Sequence, residues 1–307
     1  MSIIVENVAK VYGTQRALNG VSFSIPSSEV VGFLGPNGAG KSTMMKIITC
    51  FLPPTEGKVS VCGLDVMKSS IEVRRLIGYL PEHNPLYLDM YVREYLHFIG
   101  DIYGVPQLNK RVAEMIDRVG LGPEAHKKIE ALSKGYRQRV GLAQAMIHDP
   151  KVLILDEPTS GLDPNQLVEI RSLIKEIGKE KTVMLSTHIM QEVEAICNRT
   201  IIINKGNIVA DKATSELRSG IGGAGHELAV EFSGAISRSA LLKIEGVSNA
   251  VNDGGNSWTI SIVGNGDLRK EIAEMAMQQS IAVISMSKKE LKLEEIFKEL
   301  TTANSQN

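Results

Sequence analysis

Several short runs of the chain are apolar or glycine at every position. Residues 30–34, Val-Val-Gly-Phe-Leu, and residues 152–155, Val-Leu-Ile-Leu, are the clearest. Residues 76–80 resemble them, and 182–186 has an apolar centre, Val-Met-Leu, between Thr182 and Ser186. Parallel strands that are covered by helices on both faces have this uniform character. The runs therefore predict the central strands of an α/β sheet. Apolar and polar residues alternate within 3–8 and 20–25, which predicts half-buried strands.

The apolar spacing changes to a helical period in the middle of the chain. In residues 107–120 the apolar side chains Val112, Met115 and Ile116 recur three to four positions apart, and residues 90–103 also favour a helix. We interpret residues 84–150, approximately, as a mostly helical subdomain inserted into the α/β core.

A small-residue segment, 219–225, separates the remaining chain and predicts a linker. The pattern beyond it is β-α-β-β-α-β, which predicts a compact accessory α+β domain over 226–307. Its strands are expected at 227–232, 247–251, 257–263 and 281–286, and its helices at 236–245 and 267–279. An apolar stripe at 293–300 favours a closing helix, which either docks on its own domain or forms a dimer contact.

Composition removes several function classes from consideration. The 307 residues contain 34 basic and 35 acidic side chains and only 5% aromatics, so no nucleic-acid partner is expected. The cysteines Cys50, Cys62 and Cys197 lack metal-ligand spacing and are interpreted as reduced thiols. No signal peptide and no membrane-spanning run is recognisable, so we expect any membrane role to come through a partner.

A phosphate-binding loop is the strongest candidate for chemistry. Residues 35–43, Gly-Pro-Asn-Gly-Ala-Gly-Lys-Ser-Thr, have the form G-x-x-x-x-G-K-[ST] between a buried-strand pattern and a helix pattern. In such a loop Lys41 reaches the β- and γ-phosphates, backbone N–H groups point at the phosphates, and the Ser42 hydroxyl is available to Mg²⁺. The alternative is a glycine-rich turn with a solvated lysine.

Polar side chains follow two other predicted strands. Asp156 and Glu157 end the run at 152–155, and His188 comes shortly after 182–186. Burial of two acids is costly without compensation, which Mg²⁺ and a polarised water would provide. Ligands of open α/β sheets bind at the carboxyl ends of the strands, so we expect these groups to lie near the phosphate loop.

Five motifs in this order resemble those of the ATP-binding subunits of ATP-binding-cassette (ABC) transporters, over about residues 2–218. They are the phosphate loop, a signature-like 132–139, Asp156-Glu157, the loop 160–163 and His188. The resemblance implies a P-loop ATPase core of the ABC type with an inserted helical subdomain in domain 1–218. It also implies ATP and Mg²⁺ as ligands.

The resemblance assigns a role to each matching position. Tyr12 would stack on adenine, with a packing role as the alternative. Asp156 would bind Mg²⁺, Glu157 would orient or deprotonate the attacking water, and His188 would contact the γ-phosphate. The triphosphate would be held by Gly35, Asn37, Gly38, Ala39, Gly40, Lys41, Ser42 and Thr43, and by Ser133 and Gly135 of a second copy of the chain.

Two positions depart from the usual family pattern. Glu82 stands where these proteins usually carry Gln, and an anionic side chain cannot donate to a phosphate oxygen. We therefore assign Glu82 to Mg²⁺ or a water. The signature usually reads Leu-Ser-Gly-Gly-Gln, whereas Lys134 and Tyr136 occupy its third and fifth positions here. Ser133 and Gly135 are retained, and we expect function to be retained with them.

The same resemblance implies an ATP-dependent homodimer and a separately encoded transmembrane permease that brings the chain to the cytoplasmic face of the membrane. Residues 82–100 would be the coupling surface. Within the family the chain resembles the drug- or polysaccharide-export branch, and as a whole it is most similar to the ATP-binding subunits of gliding-motility transporters. The alternatives are a soluble cassette ATPase that acts on ribosomes or DNA and a P-loop kinase of small molecules; the kinase leaves 132–139 and His188 unexplained.

Overall fold

The computed structural model describes residues 1–218, 227–263, 266–289 and 297. Contacts between Cα atoms divide the chain into two units, Met1–Lys212 and Ala213–Asn307. The domain limit placed at residue 218 from sequence stays a prediction. The predicted linker 219–225 lies outside the described residues, as does the predicted closing helix 293–300 apart from Phe297.

The first unit contains both strands and helices. Its strands are β1 (Ile3–Tyr12), β2 (Gln15–Ile25), β3 (Val30–Leu34), β4 (Glu56–Val61), β5 (Leu64–Asp65), β6 (Ile77–Leu80), β7 (Val152–Asp156), β8 (Thr182–Thr187), β9 (Arg199–Asn204) and β10 (Asn207–Ala213). Its helices are α1 (Lys41–Ile48), α2 (Ser70–Leu76), α3 (Val92–Tyr103), α4 (Leu108–Arg118), α5 (Lys134–Met146), α6 (Pro164–Gly178) and α7 (Met190–Ile196).

A six-stranded sheet in the order β10-β9-β3-β8-β7-β6 is the main layer. β3 pairs in parallel with β8 and β9, and β7 pairs in parallel with β6 and β8. Every residue of β3, β7 and β8 is buried, as the uniformly apolar runs predict. Register places Leu34 opposite Thr187 and Asp156 opposite Ser186. The three carboxyl ends therefore meet at one edge of the sheet.

A second sheet of the first unit has the order β2-β1-β4-β5 and its strand pairs are antiparallel. β1 and β2 are longer than the predicted 3–8 and 20–25, because backbone pairing continues to Tyr12 opposite Gln15 after the apolar alternation is lost. Tyr12 therefore lies at the tip of a hairpin. Side chains of α1 fill the core that the two sheets share, and Met44, Met45, Ile47 and Ile48 are inaccessible to solvent.

Helices dominate the stretch 84–150, as predicted. α3 and α4 match the helical patterns of 90–103 and 107–120 to within two residues. The α5 helix begins after Ser133, whose hydroxyl accepts a hydrogen bond from the backbone N–H of Tyr136, so the predicted N-cap is confirmed. The limits of a separate helical subdomain stay a prediction.

The second unit contains α8 (Thr214–Arg218), β11 (Glu227–Phe232), α9 (Arg238–Leu241), β12 (Val247–Gly254), β13 (Ser257–Ile262), α10 (Arg269–Gln278) and β14 (Val283–Lys289). The strands form an antiparallel sheet in the order β12-β13-β11-β14. Its core includes Phe232, Trp258 and Ile260. The predicted β-α-β-β-α-β succession is confirmed.

The helix predicted at 236–245 is too long. After Leu241 the chain continues with tighter turns, in which Lys243 N donates to Ala240 O and Ile244 N donates to Leu241 O. Gly246 then takes a positive φ of 96° and directs the chain into β12. Apolar spacing alone does not distinguish such turns from a continuing helix.

Over the described ranges 1–218, 227–263, 266–289 and 297, no helix combines the length and the apolar character that crossing a membrane requires.

Candidate nucleotide site

The loop that follows β3 is shaped by close backbone approaches. Gly40 has a φ of 109° and precedes α1, which begins at Lys41. A Cβ atom at Gly40 would lie 2.7 Å from the carbonyl oxygen of Ala17, so a larger residue would displace the β2 backbone. Ala39 is buried, and its carbonyl oxygen accepts a hydrogen bond from Gly206 N at 3.0 Å. The loop is therefore held from two sides.

A cavity of about 500 Å³ opens beside this loop. Its walls combine the hairpin tip of β1 and β2, the phosphate loop and the ends of β7 and β8. The lining residues are Tyr12, Gln15, Ala17, Asn37, Gly38, Gly40, Lys41, Ser42, Thr43, Glu82, Glu157 and His188. Ten of these twelve are residues predicted from sequence; Gln15 and Ala17 were not predicted and carry no motif.

Lys41 is held at the base of this cavity by the loop itself. Its ammonium group donates to the carbonyl oxygen of Gly35 at 2.7 Å and to that of Pro36 at 3.2 Å, and only 7% of the residue is exposed. Burial lowers the pKa of Lys41, and the carboxylates of Glu157, Asp156 and Glu82 oppose that shift. Lys41 attracts an anionic ligand, whereas the three carboxylates attract a cation. The site therefore suits an anion that binds together with a metal ion.

Glu157 occupies an unusual backbone conformation, with a φ of 50°. Its N–H donates to both the carbonyl oxygen of Ser186 at 3.2 Å and the Ser186 hydroxyl at 3.1 Å, which keeps the residue in this conformation. Only 7% of Glu157 is exposed. Burial raises the pKa of the carboxyl group, against opposing effects of His188 and Lys41. The carboxylate is therefore a stronger base than an exposed one.

His188 contacts this carboxylate directly. Its Nδ1 lies 2.9 Å from Oε1 and 3.1 Å from Oε2 of Glu157, and half of the histidine side chain is exposed. A carboxylate only accepts hydrogen bonds, so we place the imidazole proton on Nδ1. That tautomer leaves Nε2 free to accept, or to donate once the ring is protonated.

Ser186 links Asp156, the last residue of β7, to Glu157, which follows it, a role that sequence reasoning missed. Besides accepting from Glu157 N, its hydroxyl donates a short hydrogen bond to Oδ1 of Asp156. Asp156 is 3% exposed. The available signal was a hydroxyl within the mostly apolar run 182–186, because buried hydroxyl groups normally have a specific partner.

Oxygen donors suited to Mg²⁺ converge next to the phosphate loop. Ser42, Glu82 and Asp156 all line a second cavity of about 460 Å³. Among the described residues, no group of three or more His, Cys, Asp or Glu side chains is arranged to hold a metal ion. Mg²⁺ usually binds through one or two carboxylates together with substrate phosphates and waters. The donors present therefore fit Mg²⁺ bound with a nucleotide.

Ser133 and Gly135 do not line the cavity next to the phosphate loop. Ser133 caps α5, and a Cβ atom at Gly135 would collide with the side chain of Gln166. α5 is anchored to the sheet edge by Gln138, whose Nε2 donates to the carbonyl oxygen of Pro158 at 2.8 Å. One chain therefore supplies the phosphate loop and the acids, while its signature residues lie elsewhere.

Comparison with known proteins identifies the same region. Residues 18–160 match the family model described as "ABC transporter". The chain is 38% identical over 221 residues to the linearmycin resistance ATP-binding protein LnrL of Bacillus subtilis, which covers 71% of each chain. It is 37% identical over 217 residues to the Nod factor export ATP-binding protein I of Burkholderia orbicola, which covers 69% of this chain and 70% of that protein.

A solved structure extends the likeness to three dimensions. The chain is similar to a dimeric ATP-binding cassette in a post-hydrolysis state bound to ADP and Pi. The TM-score is 0.64 and the sequence identity is 28%, over 69% of this chain and 98% of the solved chain.

Proposed function

The chain belongs to the ATP-binding proteins of ABC transporters and is an ATPase, and from that premise we propose that it powers export through a separately encoded membrane permease. Export is supported by the name of one relative, the Nod factor export ATP-binding protein I, and by the similarity to the linearmycin resistance protein LnrL. The proposed location is the cytoplasmic face of the membrane, where the permease would hold the chain.

The proposal for hydrolysis assigns each step to a side chain of the cavity. ATP would lie along the phosphate loop with its γ-phosphate near Lys41, and Glu157 would accept a proton from the attacking water. His188, held by Glu157, would present Nε2 to the γ-phosphate. Ser42 and Asp156 would hold Mg²⁺, which would supply positive charge to the phosphates. These roles rest on the 2.9 Å contact between His188 and Glu157 beside the buried Lys41.

A second copy of the chain would complete each site. The signature residues Ser133 and Gly135 do not line the cavity of their own chain, and the similar solved cassette is a dimer. We infer that ATP joins two copies, with Ser133 and the first turn of α5 of one copy facing the nucleotide of the other. Helix N-termini stabilise anions of this kind.

The single observation that carries the permease proposal is a groove that joins the nucleotide site to an exposed apolar surface. The 460 Å³ cavity is lined by Ser42, Glu82 and Asp156 and also by Phe51 and Pro85. Phe51 is 72% exposed and lines a further cavity together with the exposed Ile102. The exposed rings of Tyr87 and Phe98 contact each other, with centroids 5.7 Å apart. A permease segment in this groove would sense nucleotide through Glu82.

The process that the transporter serves is a finer proposal. We propose bacterial gliding motility, and this rests only on the resemblance of the whole chain to ATP-binding subunits of gliding-motility transporters. The similar proteins reported above concern antibiotic resistance and Nod factor export, so they support export without specifying gliding. Deletion of the gene, scored for gliding and for antibiotic sensitivity, separates the two processes.

The decisive experiment is a pull-down of tagged Glu157→Gln protein from native membranes with MgATP, beside a Lys41→Ala control. We expect the first variant, which retains ATP, to recover a multi-span membrane protein and the second to recover less of it. Recovery of ribosomal or DNA-bound proteins without any membrane protein would instead support a soluble cassette ATPase.

A further inference from the structure

A buried acid lies behind the loop that carries His188. Glu192 is the third residue of α7 and only 1% of it is exposed. Its Oε2 accepts a hydrogen bond from the Thr187 hydroxyl at 2.7 Å, while its Oε1 is buried without a hydrogen-bond partner. Burial of an incompletely bonded carboxyl group is unfavourable. Stability of the fold therefore does not explain why an acid is buried at residue 192.

The Thr187 hydroxyl connects this acid to the loop. Thr187 is the last residue of β8 and is fully buried. Its hydroxyl has one proton, which is donated to Glu192, so the oxygen lone pairs are free for the N–H of Ile189 at 3.1 Å. Thr187 and Ile189 flank His188 in the chain. The hydrogen bonds therefore fix the backbone on both sides of the histidine.

The helix that carries Glu192, α7, packs tightly on the central sheet. Val193, next to Glu192 on α7, packs so closely on β3 that a Cβ atom at Gly32 would lie 3.1 Å from Cγ1 of Val193. Glu192 is thus attached to a helix that is seated on the central sheet. His188, in contrast, is half exposed, and its ring contacts Glu157.

We propose that Glu192 and Thr187 are positioning residues that hold His188 in its hydrogen bond to Glu157. The inference rests on the roles proposed above for His188 and Glu157 in hydrolysis. Glu192 is held through Thr187 and neither side chain lines the nucleotide cavity, so both act through His188. A misplacement of about 1 Å at a catalytic group is enough to reduce turnover substantially.

The competing explanation is that Glu192 only stabilises the first turn of α7, where an acidic side chain interacts favourably with the helix dipole. Matched substitutions on β8 separate the two explanations. Thr187→Val removes the hydroxyl next to His188, and Thr182→Val makes the same change at the other end of the strand. The Thr182 hydroxyl donates to Ser2 at 2.9 Å and is equally buried.

The measurement is MgATP turnover of the full chain, with kcat and KM determined separately. We expect Thr187→Val to lower kcat by about 10-fold or more while KM for ATP stays within about twofold. Thr182→Val is expected to leave kcat unchanged although it lowers the Tm. Thr187→Ser and Glu192→Gln, which keep the hydrogen bond, should retain most of the turnover, and Glu192→Leu should behave like Thr187→Val.

Two further results distinguish this inference from the proposed function. In a His188→Ala background Thr187→Val should have no additional effect on kcat, because both changes act at one group. Retained turnover in His188→Ala itself would contradict the proposed role of His188. A loss in His188→Ala together with equal kcat values for Thr187→Val and Thr182→Val would overturn the positioning inference alone.

A spectroscopic readout completes the test. The ¹⁵N resonances of the His188 ring report which nitrogen carries the proton. In the wild-type chain we expect Nδ1–H, donated to Glu157, and in Thr187→Val a mixture of tautomers with a ring that exchanges faster. An unchanged His188 spectrum in Thr187→Val and Glu192→Leu would also contradict the inference.

Discussion

Nδ1 of His188 lies 2.9 Å from Oε1 of Glu157, although the two residues follow different strands and are 31 positions apart. The pair joins a buried carboxylate of raised pKa to a half-exposed imidazole at the mouth of the nucleotide cavity. General bases work best when their basicity is raised in this way. The pair is therefore the first target for mutagenesis.

Glu157→Gln should abolish most turnover while ATP binding is kept. The amide has nearly the same shape but cannot accept the proton of the attacking water, and a general base contributes about 10²-fold to 10⁴-fold. Steady-state phosphate release and nucleotide titration measure the two effects. Glu176→Gln, an exposed change on α6, is the control and should leave both unchanged. Turnover at the wild-type rate in Glu157→Gln would contradict the assignment.

The dimer proposal is testable at Ser133. Asp is as good an N-cap as Ser, so Ser133→Asp preserves the start of α5 but places a negative charge toward the phosphates of the second copy. In a Glu157→Gln background with ATP, light scattering should show a dimer for the Ser133→Thr control. For Ser133→Asp we expect dimerisation weakened at least about 10-fold, which is about 1.4 kcal/mol. Equal dimer fractions would exclude Ser133 from the interface.

Phe51 tests the proposed permease groove. Phe51→Glu introduces a charge into a surface that would be desolvated by the permease, so recovery of the membrane partner should fall about 10-fold or more. Val168→Glu is the matched control, because Val168 is similarly exposed at 62% but lies on α6. Nucleotide binding should persist in both variants. Equal recovery of the partner with both would place the contact elsewhere.

The buried side chain of His148 is expected to make the folded protein less stable at acidic pH. Its ring stacks on Tyr103 with centroids 3.9 Å apart, Nε2 lies 3.0 Å from the carbonyl oxygen of Ile77, and Nδ1 is buried without a partner. Burial lowers the pKa of His148 below its ordinary 6.5, and the positive charges of Lys181 and Arg111 add to the shift. The Ile77 carbonyl and Asp149 oppose it.

The sign follows from linkage between protons and folding. Below about pH 6.5 the unfolded chain binds a proton at His148 that the folded chain does not, so the stabilisation present above that pH is lost on acidification. For one titrating group the free energy of unfolding changes by at most about 1.4 kcal/mol per pH unit. Urea unfolding at pH 7.5 and 5.5 measures it. His148→Phe, which keeps a stacked ring, should show a smaller difference, and an equal difference would contradict the prediction.

Local sequence determined the elements that form the candidate site. The largely apolar runs predicted β3, β7 and β8, because a strand covered on both faces is buried along its whole length. The G-x-x-x-x-G-K-[ST] pattern predicted the loop and α1, since backbone turns and a helix start are specified by neighbouring residues. The hydroxyl of Ser133 predicted the start of α5 for the same reason.

Only the tertiary structure decided how these elements meet. Strand order β3-β8-β7 brings Lys41, Glu157 and His188 to one cavity, and no local pattern encodes which strands become neighbours. The Ser186 hydroxyl, which bonds to Asp156 and receives the N–H of Glu157, acts across two strands, so its role depends on their register. The Thr187–Glu192 pair depends likewise on α7 packing against β3. The sequence therefore determined the elements that neighbouring residues specify. The positions of side chains that depend on strand order and helix packing became known only from the tertiary structure.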